Sequence, residues 1–225
     1  FKGIRSPDAN VAEHAVHFWS NAGGTLVERN KIVNCDRGIG FGLGTDRGHN
    51  GGIIRNNMIF HDDLGSDRGD VSIEMETAVG TEVYNNTIYQ KHSYQAAISA
   101  RFGGSSVYIA NNLVKITGGG TRAIWNRNGA TITREGNILS AQAAWFAGLA
   151  DGDLHLASSV PEVVDQGVAV GGLTEDFDGD GRPQGGAPDV GADEYRAGTG
   201  GGGGGSGGGS AVESATWARV KGAYR

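Results

Sequence analysis

The amino-acid sequence predicts an all-β fold, a parallel β-helix in which each coil adds one strand to each of two or three parallel sheets. An asparagine recurs at intervals of 27, 29, 26 and 25 residues, at Asn30, Asn57, Asn86, Asn112 and Asn137. Each copy follows a short run rich in β-branched and aromatic residues, which favours strands. No segment of helical length shows a sustained 3.6-residue period, so βαβ units are not expected.

The recurring asparagines predict how the coils stack. A repeat of this length marks a solenoid whose neighbouring units bury a continuous core. We expect each asparagine amide to hydrogen-bond to its counterparts one coil away, and the asparagine to take the left-handed conformation that a tight bend needs. The aliphatic residue two positions after each one is expected to face the interior: Ile32, Ile59, Ile88, Val114 and Leu139. These asparagines are therefore assigned to the scaffold.

Composition excludes several classes of function. The chain has 225 residues, of which 41 are glycine, and its net charge is −6. This charge does not indicate a generic nucleic-acid-binding surface. No run approaches 18 apolar residues, so no transmembrane helix is expected. The chain begins inside a repeat at Phe1, with no signal peptide, and we expect a fragment or processed form.

Four segments are predicted along the chain. Residues 1–150 carry the coils, and residues 151–196 form an acidic, irregular segment that closes the last coil of the same domain. Residues 197–210 are a flexible Gly/Ser linker. Residues 211–225 form a short amphipathic tail, with Trp217, Val220 and Tyr224 on one helical face. The tail is interpreted either as a docking peptide for a secretion or surface-anchoring partner, or as an appendage.

Two segments near the C-terminus carry a family resemblance. They are DGDLHLASSVPEVVDQG at 151–167 and DFDGDGRPQGGAPDVGADEY at 176–195. Together with the coils, they resemble the closing region of secreted bacterial proteins of the right-handed, pectate-lyase-like β-helix superfold. The resemblance implies a right-handed helix, carbohydrate binding, and secretion or a cell-surface location. It implies little about activity, because this superfold hosts lyases, hydrolases, epimerases and non-catalytic surface proteins.

A second set of aliphatic residues sets the register of one sheet. We align Val16, Ile39, Ile73, Ile98 and Ile124 as inward-facing residues. Because side chains alternate along a strand, the residues one and three positions later face outward. The first column is then His17, Gly40, Glu74, Ser99 and Trp125, and the second is Trp19, Gly42, Glu76, Arg101 and Arg127. We call these ten positions the charged face, and expect the loop 61–70 to flank it.

The charged face predicts a binding surface for polysaccharide, such as an acidic polyuronide. We assign substrate binding to His17, Trp19, Trp125 and Arg127. Indole rings stack on sugar rings, and a guanidinium pairs with a uronate carboxylate through two hydrogen bonds. The alternative is a solvated ladder of salt bridges, with Glu76 opposite Arg101, on a non-catalytic structural or adhesive domain.

If the protein is an enzyme, it is predicted to be a polysaccharide lyase or a glycoside hydrolase, with Glu74, Glu76 and Arg101 as catalytic candidates. In a hydrolase, Glu74 and Glu76 would form the acid/base pair. Their Cα atoms at i and i+2 of one strand lie about 6.6 Å apart, near the lower edge of the carboxyl separation in inverting enzymes.

In a lyase, by resemblance to β-helix lyases, Arg101 or Arg127 would neutralise the uronate carboxylate. His17 or Lys91 would then take the C5 proton as the base.

One acidic loop is a candidate calcium site, the one cofactor predicted here. Asp176, Asp178 and Asp180 occupy positions 1, 3 and 5 of an EF-hand-like pattern. Position 12 is Ala187, so the bidentate acid of that pattern is missing. The alternative is an Asp/Gly turn that closes the last coil. His155, in DLHLAS, is expected to be a strand residue and not a metal ligand.

Overall fold

The chain forms a parallel β-solenoid of about four turns, so the predicted fold class is confirmed. The computed structural model describes residues 1–7, 12–20, 22–62 and 69–196. The predicted linker and tail at 197–225 and part of the loop 61–70 lie outside these residues. None of the helices among the described residues has the length and apolar character needed to cross a membrane.

Three parallel sheets run along the solenoid. The first sheet contains β1 (His14–Phe18), β5 (Arg37–Phe41), β9 (Ile73–Glu76), β12 (Ala96–Arg101) and β15 (Arg122–Arg127). The second contains β2 (Ala22–Gly23), β3 (Leu26–Glu28), β6 (His49–Asn50), β7 (Ile53–Arg55), β10 (Ala78–Tyr84), β13 (Ser106–Ala110) and β16 (Thr131–Glu135). The third contains β4 (Lys31–Val33), β8 (Met58–His61), β11 (Thr87–Gln90) and β14 (Leu113–Ile116). The coils are followed by two 3₁₀ turns, Ala143–Trp145 and Leu149–Asp151. They are also followed by an antiparallel pair of strands, β17 (Phe146–Gly148) and β18 (Asp153–Leu156).

The predicted register of the first sheet is confirmed. The five aligned aliphatic residues pair in order along the sheet: Val16, Ile39, Ile73, Ile98 and Ile124. The columns beside them are also in register, since Glu74 pairs with Ser99 and Ser99 with Trp125. Arg101 likewise lies between Glu76 and Arg127. Trp19 and Gly42 lie one residue beyond the ends of β1 and β5.

The asparagine ladder forms as predicted. Each asparagine Nδ2 donates to the Oδ1 of the asparagine one coil further on, at 2.9 Å, over the four steps from Asn30 to Asn137. The same Oδ1 accepts the backbone N–H of the donor residue. Asn57, Asn86 and Asn112 are fully buried, so these bonds satisfy amides that water cannot reach.

The bend conformation falls one residue earlier than predicted. The left-handed residue is the one that precedes each ladder asparagine, with φ between 50° and 61°: Arg29, Asn56, Asn85, Asn111 and Gly136. The prediction that the ladder asparagine takes this conformation is therefore wrong. Asparagine is tolerated there because its short polar side chain bonds locally. Asn56, Asn85 and Asn111 also donate to carbonyls of the closing segment, at Glu175, Asp189 and Val168.

The interior is filled largely by the predicted aliphatic residues. Ile32, Ile59, Ile88 and Val114 are at most 3 % exposed and pair along the third sheet. The prediction that Leu139 faces the interior is wrong, because this residue is 38 % exposed. It follows the last bridge of the third sheet, Leu113 to Ile138, so no further coil covers it among the described residues.

The closing segment packs on the outside of the third sheet. A second apolar cluster joins Met58, Phe60 and Leu113 of the coils to Leu154, Val163 and other residues of the segment. The buried pair of Arg182 and Glu194, 3.2 Å apart and each 1 % exposed, holds the segment internally. Because the segment covers the third sheet, the first sheet keeps its own outer face.

Candidate functional site

The charged face contains two carboxylates that pair with two guanidinium groups. Arg101 Nη1 donates to Glu76 Oε1 at 3.1 Å, from the neighbouring coil. Arg127 Nη1 donates to Glu74 Oε1 at 3.2 Å, from two coils away. The structure therefore brings Glu74, Glu76, Arg101 and Arg127 together, as the register predicted.

Burial is what separates this face from a solvated ladder. Glu74 is 4 % exposed, Glu76 is 9 % exposed and Ser99 is fully buried. The Arg101 and Arg127 side chains keep 34 % and 15 % of their surface exposed. A carboxylate taken from water is costly unless it is paired and hydrogen-bonded. The outer face of the first sheet is thus partly covered, and its two arginine side chains are more exposed than its two carboxyl groups.

Glu74 has the electrostatics of a general acid. Burial, together with the negative charges of Glu76 and Asp70, raises its pKa to about 7, although the positive charges of Arg37 and Arg127 oppose the rise. Near neutral pH, protonated and ionised Glu74 coexist. A carboxyl group tuned in this way can hold a proton and release it to a leaving group.

Glu76 lies two residues away in a different environment. Its Oε1 accepts from Arg101, and its Oε2 accepts the backbone N–H of Gly44, in the loop that follows β5. Both oxygens of this carboxyl group are therefore occupied by protein donors. The two carboxyl groups of one strand therefore have distinct settings, one buried beside like charges and one held by two donors.

The indoles at the two ends of the face are already in contact with cations. The Arg47 guanidinium lies 4.8 Å from the Trp19 ring centroid, and Trp19 is 41 % exposed. Trp125 is half-buried, with the guanidinium groups of Arg122 and Arg127 each 4.6 Å from its ring. These are cation–π distances. Trp19 keeps exposed surface, while Trp125 packs against Arg127.

The histidines of β1 pack together over a glycine. The rings of His14 and His17 are 4.1 Å apart, and a Cβ at Gly40 would lie 2.7 Å from His14 Cδ2, so only glycine leaves room for them. Burial, His17 and Arg37 lower the pKa of His14 to about 2, which keeps it neutral. His17 Nε2 is 2.8 Å from the Gly42 carbonyl oxygen and therefore carries the hydrogen that this acceptor needs.

Three residues beside the charged face were missed from sequence: Arg37, Tyr94 and Arg122. Tyr94 Oη accepts from Arg127 Nη1 at 2.9 Å, and burial together with Asp70 and Glu74 raises its pKa to about 12. Arg37 donates to Asp70 at 2.6 Å. Arg37 and Arg122 lie two positions before inward aliphatic residues, where strict alternation assigns the interior. A charged residue at an interior position of the aligned register could have marked Arg37 and Arg122 as unusual. Tyr94 lies in a loop, where the register gives no such indication.

Several polar atoms of this face have no hydrogen-bond partner. Among the residues that the structure describes, the buried atoms without one include Ser99 Oγ, Arg101 Nε, Arg127 Nε and His14 Nε2. Each such atom costs roughly 1–3 kcal/mol. Three of them, on Ser99, Arg101 and Arg127, belong to the charged face, and His14 Nε2 lies beside it. Buried polar atoms without a partner are rare in folded proteins and call for an explanation.

The acidic loop 176–180 is held by donors of the protein itself. Asp176 accepts the backbone N–H groups of Asp178, Asp180 and Glu194, and Asp180 pairs with Arg196 at 3.2 Å. These bonds are those of the alternative Asp/Gly turn. Calcium at Asp176, Asp178 and Asp180 stays a prediction.

A different set of ligand-type atoms converges beside this loop. His155 lies on β18, as a strand residue, and its Nε2 is 2.9 Å from Asp178 Oδ2. Within the described part of the chain, His155, Asp178 and Asp193 place one ligand atom each within 4.8 Å of one another. Asp153 meets His155 Nδ1, so hydrogen bonds between the protein groups account for this cluster.

Comparison of the chain with protein-family models, with curated proteins and with solved structures finds no match. Function is therefore inferred from the geometry of the charged face.

Proposed function

We propose that the chain is a secreted or cell-surface β-helix domain, related to the pectate-lyase-like superfold, that binds an acidic polysaccharide along the charged face. Glu74 and Glu76 are the pair that would hydrolyse the bound chain. The observation that carries this proposal is a buried carboxyl group with a pKa of about 7 beside two partly exposed guanidinium groups.

Arg101 and Arg127 supply the attraction for a uronate. Their positions on neighbouring coils are about 4.8 Å apart, and the side chains of Arg101 and Arg127 are 34 % and 15 % exposed. Guanidinium groups recognise carboxylates with charge-assisted hydrogen bonds. Trp19, four coils from Arg127 and therefore roughly 19 Å away along the sheet, provides an exposed ring at the other end.

The two carboxyl groups favour hydrolysis over elimination. Glu74 can hold the proton for the leaving oxygen, and Glu76 can act as the base or nucleophile. The candidate bases for elimination are less suited. His17 uses Nε2 as a donor to the Gly42 carbonyl, and Lys91 directly follows β11 of the third sheet and not a strand of the first sheet.

Binding is tested first, with polygalacturonate and alginate as acidic chains and dextran as a neutral control. Arg127→Ala and Arg101→Ala are expected to weaken binding of the acidic chains about tenfold or more, since a hydrogen bond to a charged group contributes about 1.5–3 kcal/mol. Arg134→Ala is the matched control, because Arg134 is exposed on β16 of the second sheet. Absence of binding to both acidic chains by the wild-type protein would overturn the proposal.

Cleavage is tested by the products. Hydrolysis releases new reducing ends without ultraviolet-absorbing unsaturated uronates, and Glu74→Gln should abolish it while binding remains. Unsaturated products would show elimination instead. Binding without any cleavage would identify the non-catalytic surface domain, the alternative consistent with the same fold.

A further inference from the structure

The charged face is balanced in charge before any ligand arrives. The ionisable groups that face the Glu74 carboxyl come from its own strand, from other strands of the first sheet and from two loops: Glu76, Arg127, Arg37, Asp70 and Tyr94. With Glu74 ionised, and with Arg101 on Glu76, three carboxylates meet three guanidinium groups. Each guanidinium is already paired with one carboxylate.

An anionic sugar disturbs this balance. A carboxylate that reaches the exposed surface of Arg101 or Arg127 brings a fourth negative charge to three positive ones. A nearby negative charge disfavours the ionised form of a carboxyl group, and the effect is strongest for a carboxyl group that is already buried. Glu74 is that group, since its side chain is 5 % exposed compared with 11 % for Glu76 and 12 % for Asp70.

We propose that binding of an acidic sugar at Arg101 and Arg127 draws a proton from solvent onto the Glu74 carboxylate in those molecules in which this group is ionised. This inference rests on the proposed function, because it requires an anionic ligand on the charged face. The proton adds to a carboxylate oxygen of Glu74 and gives a neutral carboxyl, which releases Arg127 from competition between two anions. Substrate binding would then itself place the general acid in the protonated state that hydrolysis needs.

The expected pH dependence has a defined sign. Free Glu74 titrates near pH 7, and the bound anion raises its pKa above that value. Binding therefore takes up protons between the free and the bound pKa, and the affinity falls as the pH rises through this window. Below about pH 6 the affinity levels off. A uronate carboxyl, with a pKa of about 3.5, stays ionised throughout.

Titration calorimetry of the full chain with oligogalacturonate and oligomannuronate tests this inference between about pH 6 and pH 9. Measuring each titration in two buffers of different ionisation enthalpy gives the number of protons taken up. The wild-type affinity should fall about tenfold over this range, which corresponds to a bound pKa one step above the free value. Proton uptake should pass through a maximum near pH 7–8.

Glu74→Gln is expected to bind with an affinity that does not depend on pH, and without proton uptake. Glu82→Gln is the matched control, because Glu82 lies on β10 of the second sheet, and this variant should behave like the wild type. If Glu74→Gln does not fold, carbon-13 NMR titration of the wild-type glutamate carboxyls, with and without ligand, gives the same pKa displacement directly.

The outcomes separate the two proposals. Wild-type binding that is independent of pH, or proton uptake that persists in Glu74→Gln, would overturn the role of Glu74 and leave acidic-glycan binding intact. Failure of the wild type to bind either oligosaccharide at any pH would overturn the proposed function and this inference with it.

Discussion

Replacement of Glu74 by glutamine should change how the stability of the protein depends on pH. The carboxyl has a pKa of about 7 in the folded protein, compared with a reference value of 4.5. Between these values the folded state holds more protons than the unfolded state. The wild-type protein should therefore lose stability as the pH rises from 4.5 to about 7, and glutamine at this position, which cannot ionise, removes that loss.

The size of the effect follows from the same two values. A pKa difference of one corresponds to 1.36 kcal/mol, so the rise from 4.5 to about 7 amounts to roughly 3 kcal/mol. The side chain is 5 % exposed, so screening by solvent reduces this figure little. The pKa of about 7 already includes the Arg127 ion pair, whose positive charge lowers the Glu74 pKa.

Urea denaturation at a series of pH values measures the effect. The quantity to follow is the unfolding free energy of Glu74→Gln minus that of the wild type, in which the contributions of titrating groups far from Glu74 cancel. This difference should increase by roughly 3 kcal/mol between about pH 4.5 and pH 8. Glu82→Gln, half-buried on the second sheet, should show no comparable trend. A difference that stays flat, or one that falls with pH, would refute the assignment of Glu74 as a buried acid.

Three further predictions concern the scaffold, and urea denaturation checks each of them. Asn86→Ala removes five side-chain hydrogen bonds from a buried site and should lower the free energy of unfolding by roughly 3–5 kcal/mol. Asn30→Ala, at the partly buried end of the ladder, should lower it by roughly 1 kcal/mol. Equal losses would contradict the asparagine ladder as the source of this stability. Arg182→Met leaves Glu194 buried without its cation and should cost roughly 3–5 kcal/mol, and adding Glu194→Gln should recover part of this loss. Gly42→Ala should destabilise by roughly 2 kcal/mol or more, since φ is +80° and a Cβ would collide with the Glu76 carbonyl oxygen; a neutral result would contradict that close approach.

The coil architecture could be predicted because it depends on spacing along the chain. One repeated asparagine and one aligned aliphatic residue per coil were enough to place Glu74, Glu76, Arg101 and Arg127 on one face. The errors fall where local chemistry differs from the average repeat. The left-handed residue is Asn85 and not Asn86, because the bend precedes the ladder, and Leu139 follows the last bridge of its sheet.

The sequence by itself determined the solenoid, its register and the identity of the residues on the charged face. Only the tertiary structure decided that this face is partly covered and that Glu74 is buried beside two other carboxyl groups. Strand alternation says on which side of a sheet a residue lies, but the pKa of a carboxyl depends on the solvent and charges around it. Those are set in part by Asp70 and Tyr94, which reach the face from loops and follow no repeat.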